Sequence, residues 1–230
     1  MLSKAYGMFN FRLGEVEQVL QARSLLNEKN YRDKPGRRNL AALNKSALIL
    51  LCAAWEAYVE DLLSESLEFV ISKVSNPTEL PQKLQKKLCA HVKKEKHELK
   101  ALELCGDGWK KLCREIIEIN VKNFNTPRLI NIQDNLYKEF FDGKDPLNLE
   151  KTRQKINGKE ILTPKEKYFE EVEKMVDERC EHAHARSQGY TTLKALKRYR
   201  VSLKKAVQHM EKNVCLTVVR VISQKPWEYN

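Results

Sequence analysis

Residues 46–63 read SALILLCAAWEAYVEDLL. Wound into a helix, this stretch puts apolar side chains on nearly every face. Such a helix cannot lie on a surface and must be the central helix of a bundle. Helical patterning extends from about Asn39 to Val74, and Asn76-Pro77 ends it. One residue interrupts the apolar run, Glu56, set between Trp55 and Tyr58. A buried carboxylate needs a partner or a raised pKa. Two readings follow: a structural ion pair or hydrogen bond to a neighbouring helix, or support for a polar site built by another helix.

Helical periodicity continues on both sides of this segment. Phe11, Val16, Val19, Leu20, Leu25 and Leu26 mark a first amphipathic helix, and Lys34-Pro-Gly-Arg-Arg38 reads as a basic turn. A third helix is expected over 78–104, on Leu80, Leu84, Leu88, Val92, Leu99 and Leu102, stopped by Gly106-Asp107-Gly108. Trp109, Leu112, Ile116 and Ile119 give a fourth, and 131–141 a short fifth after the turn Asn125-Thr126-Pro127. Residues 142–162 read as a loop insertion, with Asp142-Gly143, Asp145-Pro146 and Asn157-Gly158 as turn signals. Thr163-Pro164-Lys165-Glu166 is the pattern of a capping box opening a sixth helix, which runs to about Arg186 and breaks at Ser187-Gln188-Gly189. The last helix spans about 191–222 along Leu193, Leu196, Leu203, Val207, Met210, Val214, Val218 and Val221. No strand is evident. The expected fold is all-α: an antiparallel bundle of about six to seven helices in a single domain over 1–230.

Composition sets the outer limits. The 230 residues are 42% hydrophobic, enough to bury a core and to exclude wholesale disorder. With 8 Gly and 7 Pro the chain is neither collagen-like nor a turn-rich β-sandwich. The N-terminus lacks the apolar core of a signal peptide, and no stretch reaches the roughly 18 uncharged apolar residues of a membrane span. A cytoplasmic protein with no membrane partner is expected. Six cysteines without a CxxC fit reduced thiols rather than a disulfide framework. A net charge of +11 points to an anionic partner, nucleic acid first.

The sixth helix carries the second anomaly, in MVDERCEHAHARSQG at 175–189. Its apolar stripe is Phe169, Val172, Val176 and Ala183, and Arg179 falls inside that stripe at about 100° per residue. An Arg on a buried seam needs a reason. His184 lies about 140° round from Arg179, so the two do not touch within one straight helix. Pairing of this stripe with a second copy would let each His work with the Arg of the other chain. From His182 to Met210 there is no acidic residue, while Arg186, Lys194, Lys197, Arg198, Arg200, Lys204 and Lys205 occur there. This run reads as a solvated face or as a phosphate-binding ramp beside Arg179.

Three segments carry a family resemblance. Arg179-Cys-Glu-His-Ala-His184 resembles the R-x4-H signature of HEPN domains. LNKSALILLCAAWEAYVEDLL at 43–63 resembles their apolar helix with its acidic residue in an aromatic-flanked slot. FNTPRLINIQDNLYKEFFDG at 124–143 resembles the turn and short helix of the RiboL-PSP type of HEPN protein. Two positions depart from the pattern: Cys180 stands where the family usually has Asn or Asp, and Arg186 where some toxin members carry a modified Tyr.

The resemblance implies an all-helical, HEPN-like homodimer acting as a metal-independent endoribonuclease, with Arg179 and His184 as the catalytic dyad and Glu56, Glu181 and His182 as polar support. It also implies a toxin or antiviral defence setting with an antitoxin or defence-system partner protein. RNA cleavage without metal needs a proton acceptor for the 2′-hydroxyl and a cation for the phosphorane; His and Arg supply these. Cys180, His182 and His184 are also metal-ligand types, but no second Cys/His cluster completes a zinc site, so no metal or other cofactor is expected. Arg186, Lys194, Lys197, Arg198, Lys204 and Lys205 would contact RNA. The alternative is a catalytically inactive helical module that binds RNA or protein, which Cys180 favours.

Overall fold

The apolar run at 46–63 lies inside a 37-residue helix, α2 (Arg37–Lys73). It is one of seven α-helices among the described residues of a computed structural model, which describes 2–28, 37–94, 98–142, 151–156, 159–164, 167–183 and 191–228. The others are α1 (Lys4–Glu28), α3 (Gln82–Lys94), α4 (Gly108–Lys122), α5 (Leu129–Asn131), α6 (Lys167–Ala183) and α7 (Leu193–Ile222). The fold is all-α. Of the expected turns, the one at Lys34-Pro35-Gly36, those at Gly143, Asp145-Pro146 and Asn157-Gly158, and the break at 187–189 lie outside the described residues.

Leu40–Lys73 is long and apolar enough, by length and composition, to cross a bilayer when a few charged residues are tolerated. One side of it is used inside the protein, where Leu48, Leu51, Trp55, Tyr58, Leu62 and Leu67 are fully buried, while Ile49 and Ala53 are exposed. Glu60, Asp61, Glu65 and Glu68 on the same helix mark it as a core helix with charged edges.

The chain divides into two compact units. The first comprises 1–5, 59–148 and 210–230. Its core includes Leu62, Leu67, Phe140, Met210 and Val214, and the Tyr137 hydroxyl donates to the Val59 carbonyl at 3.1 Å. Asp142 caps α3, its two carboxylate oxygens accepting the backbone N–H groups of Gln82 (3.0 Å) and Lys83 (2.7 Å). Buried Glu211 accepts a hydrogen bond from the Ser3 hydroxyl. The second unit comprises 6–58 and 149–209. Its core is aromatic: Phe9 packs on Tyr58 at 5.4 Å between ring centroids, Trp55 stacks on Tyr58 at 6.0 Å, and the Tyr58 hydroxyl donates to the Val207 carbonyl at 3.1 Å.

Four local expectations are corrected. The buried line of α1 is Phe9, Leu13, Val16 and Leu20, whereas Phe11, Leu25 and Leu26 are exposed. The expected third helix is broken. Pro81 holds Leu80 extended (φ −68°, ψ 158°), so α3 starts only at Gln82, after a 3₁₀ turn at Pro77–Glu79; a second 3₁₀ segment, Glu98–Leu104, follows it. Past Asn131 the expected fifth helix becomes a π-helical turn, Ile132–Tyr137. Lastly, residues 142–162 are not all loop: β1 (Lys151–Ile156) and β2 (Lys159–Pro164) form an antiparallel hairpin with Ile156 opposite Lys159. Thr163 and Pro164 pair with Thr152 and Lys151, so they do not cap the sixth helix, which begins at Lys167. Glu166 lies outside the described residues. Proline at the end of a strand loses no ladder hydrogen bond, which makes this use as natural as the helical one.

The stop before α4 depends on two glycines. Gly106 has φ +56°, and a Cβ on Gly108 would sit 1.8 Å from the Glu103 carbonyl oxygen. Gly106→Ala should cost about 1 kcal/mol through backbone strain. Gly108→Ala should cost about 2 kcal/mol or more, because backbone must move. Denaturant unfolding of the two variants checks the order; equal stabilities would refute it.

Candidate functional site

Helix α6 enters the second unit's core through Phe169, Val172, Met175 and Val176, all essentially buried. This stripe is therefore covered by the chain itself. The expected pairing of Val172 and Val176 with a second copy is not available, because the surface such a seam needs is already used. Ala183 and Glu181, on the last turn, are exposed.

Arg179 is half-buried on α6. It lies close to Glu56 of α2, and the two interact through space. Burial pushes the Glu56 carboxyl above its ordinary range, and the Arg179 guanidinium pulls it part of the way back. Cys52 is one helical turn before Glu56. Burial pushes its thiol up to about 12, against the pull of Arg179, so Cys52 remains protonated. Its Sγ donates to the Met175 carbonyl at 3.6 Å. Among the described residues, Arg179 forms no ion pair or hydrogen bond that consumes its donors. Glu56 is thus an electrostatic neighbour of Arg179 that leaves the guanidinium fork open.

His182 is buried. Its Nε2 sits 2.9 Å from the Thr191 hydroxyl oxygen and 3.8 Å from a Glu178 carboxylate oxygen. The Tyr199 hydroxyl donates to the other Glu178 oxygen at 2.7 Å. The Thr191 carbonyl accepts from Asn44 Nδ2 at 2.7 Å, Asn44 Oδ1 accepts from Arg23 Nε at 2.6 Å, and Lys45 Nζ donates to the His182 carbonyl at 3.1 Å. A polar lattice from four helices therefore grips both His182 and Thr191. His184 and Arg186 lie between those two anchors and outside the described residues. Glu178, Thr191, Tyr199 and Asn44 escaped the sequence reading. Of these, only the i, i+4 spacing of Glu178 and His182 was visible there. Among the described residues no group of three or more His, Cys, Asp or Glu is placed to hold a metal ion.

Along α7, Lys194, Lys197, Lys204 and Lys205 are exposed and, among the described residues, without an acidic partner. Arg198 bridges to Glu171 and Arg200 to Glu17. The basic run is thus partly neutralised and partly open.

A family model described as RiboL-PSP-HEPN matches residues 15–215. The chain belongs to this family. The match takes in α2, the π-helical turn, α6 and most of α7. No curated protein and no solved structure matches the chain. Membership in the RiboL-PSP-HEPN family suggests a nuclease or RNA-related role, and HEPN domains are often ribonucleases.

The Glu56 environment has a measurable consequence. Because its carboxyl is raised in the folded state, the stabilising contribution of the protonated form is full in acid and is lost as pH rises through the folded value. Glu56→Gln mimics the neutral form. It should match wild type near about pH 4 and melt about 1–2 °C higher near about pH 7, a small gain because the group is only half-buried. A variant that melts lower at neutral pH would show that Arg179 depends on the Glu56 charge.

Proposed function

We propose that this chain is a metal-independent endoribonuclease in which Arg179 binds the scissile phosphate and His184 transfers the proton. The observation that carries the reading is Arg179: half-buried on α6, beside a carboxyl group that burial disfavours as an anion, with its guanidinium donors uncommitted among the described residues. A structural arginine at that depth is normally bonded to a carboxylate. An uncommitted one is suited to holding two non-bridging phosphate oxygens and stabilising the extra charge of the phosphorane.

In the reaction, an imidazole accepts the 2′-hydroxyl proton, the 2′-oxygen attacks phosphorus in line, and the 5′-oxygen leaves with a proton from an imidazolium. The products are a 2′,3′-cyclic phosphate and a 5′-hydroxyl. No redox partner is needed. One His184 cannot readily serve both faces of the phosphate, and within one helix it points about 140° away from Arg179. Two copies meeting at the exposed last turn of α6 would supply both imidazoles and both guanidiniums. The unpaired lysines of α7 would draw the RNA backbone to the site.

Two measurements test this reading. Labelled RNA should be cleaved in EDTA, and Arg179→Ala or His184→Ala should each slow cleavage by about 10²-fold or more without changing the circular dichroism. Mixing the two variants should restore part of the rate if Arg and His come from opposite copies. Cleavage that disappears in EDTA and returns with added metal would overturn the dyad, and binding without cleavage would make the protein an RNA-binding module. Separately, Lys204→Gln with Lys205→Gln should reduce the slope of log affinity against log salt by about one to two. An unchanged slope would make this part of α7 a solvated face.

A further inference from the structure

In the first unit, the end of α4, the turn after it and the π-helical segment enclose a pocket of about 290 Å³. Asn120, Asn123, Asn125, Asn131 and Asn135, five carboxamide residues, line it together with Phe124 and Thr126. We propose that this pocket takes an unstacked nucleobase. The inference rests on the RNA-acting role proposed above and adds to it a means of reading sequence.

Asparagine is common at helix ends and turns, where its side chain bonds to nearby backbone. That use covers part of the cluster. Asn120 Nδ2 donates to the Ile116 carbonyl at 2.7 Å, and Asn131 Nδ2 donates to the Thr126 carbonyl at 3.1 Å. These bonds hold the two side chains in place and leave the Asn120 oxygen open as an acceptor. Asn135 Nδ2 reaches Asn131 Oδ1 at 3.4 Å. Asn123 and Asn125 are exposed, and among the described residues their side chains make no hydrogen bond at all. Local capping does not explain why they gather on one pocket with the other three. Asn135 is carried by the π-helical turn Ile132–Tyr137, a distortion that recurs at functional sites.

The chemistry selects the ligand class. None of the residues lining the pocket is charged, so it offers a phosphate or carboxylate no counter-ion. Carboxamides present a donor and an acceptor side by side, the match for the edge of a nucleobase. Phe124 and Thr126 complete this uncharged lining.

The test uses the full chain and uncleavable 2′-O-methyl oligoribonucleotides of about eight nucleotides, one for each base and one abasic strand. Fluorescence anisotropy should find at least one base-bearing strand bound about tenfold or more tighter than the abasic strand. Asn125→Ala with Asn135→Ala, both at exposed positions, should bring that strand to within about threefold of the abasic one. Affinity for the abasic strand and the melting temperature should not change. A double variant that keeps the preference, or loses affinity for the abasic strand equally, overturns the inference. So does a wild type that binds all strands alike, with the RNA role intact. A protein that binds none of the strands overturns both readings together.

Discussion

The structure depends on α2 having no polar face in its central turns. Leu48, Leu51, Trp55 and Tyr58 are fully buried, and each needs neighbours on its own side of the helix. Other elements in the second unit supply them: Phe9 of α1 packs on Tyr58, and the Val207 carbonyl of α7 receives the Tyr58 hydroxyl. Aromatic packing does more than fill space there. Tyr58 lies against Phe9 and Trp55 and ties its hydroxyl to the backbone of α7, so one side chain links three helices.

That packing creates the environment of the candidate site. Glu56 sits between Trp55 and Tyr58 and cannot turn fully to water, so its ionised form is disfavoured. Arg179 offsets this from the facing helix. A short, strong Glu–Arg bridge would have closed the guanidinium, and a fully solvated Glu would have left it alone in an apolar setting. The intermediate arrangement keeps a cation near the core with its donors available. The buried lattice around His182, Thr191 and Glu178 then sets where the chain leaves α6 and enters α7. The segment bearing His184 therefore starts and ends at defined points.

Charge is divided with similar economy on α7. Arg198 and Arg200 are spent on Glu171 and Glu17, contacts that fasten α7 to α6 and α1. Such exposed pairs contribute little stability each. The lysines on the outward side stay unpaired and keep that face positive. A count of basic residues in the sequence cannot separate these two uses, since Arg198 and Lys197 are adjacent and look alike on paper.

The sequence by itself determined the all-α class, the central place of α2, its end before Asn76-Pro77, the stop at Gly106-Asp107-Gly108, and the family. These rest on local signals: periodicity, helix breakers and motif spacing. The hairpin was hidden because Lys151–Ile156 lacks apolar alternation, although Asn157-Gly158 between the strands is a favoured two-residue hairpin connection. Pro81 and Thr163-Pro164 were ambiguous because proline suits a first helical turn, a helix break or a strand end. Only the tertiary structure set Glu56 beside Arg179, gave His182 the Thr191 hydroxyl, sorted the paired arginines from the free lysines, and gathered five asparagines on one pocket. Those facts depend on how helices cross, and crossing is decided by the fit of whole faces, which no short stretch of sequence carries.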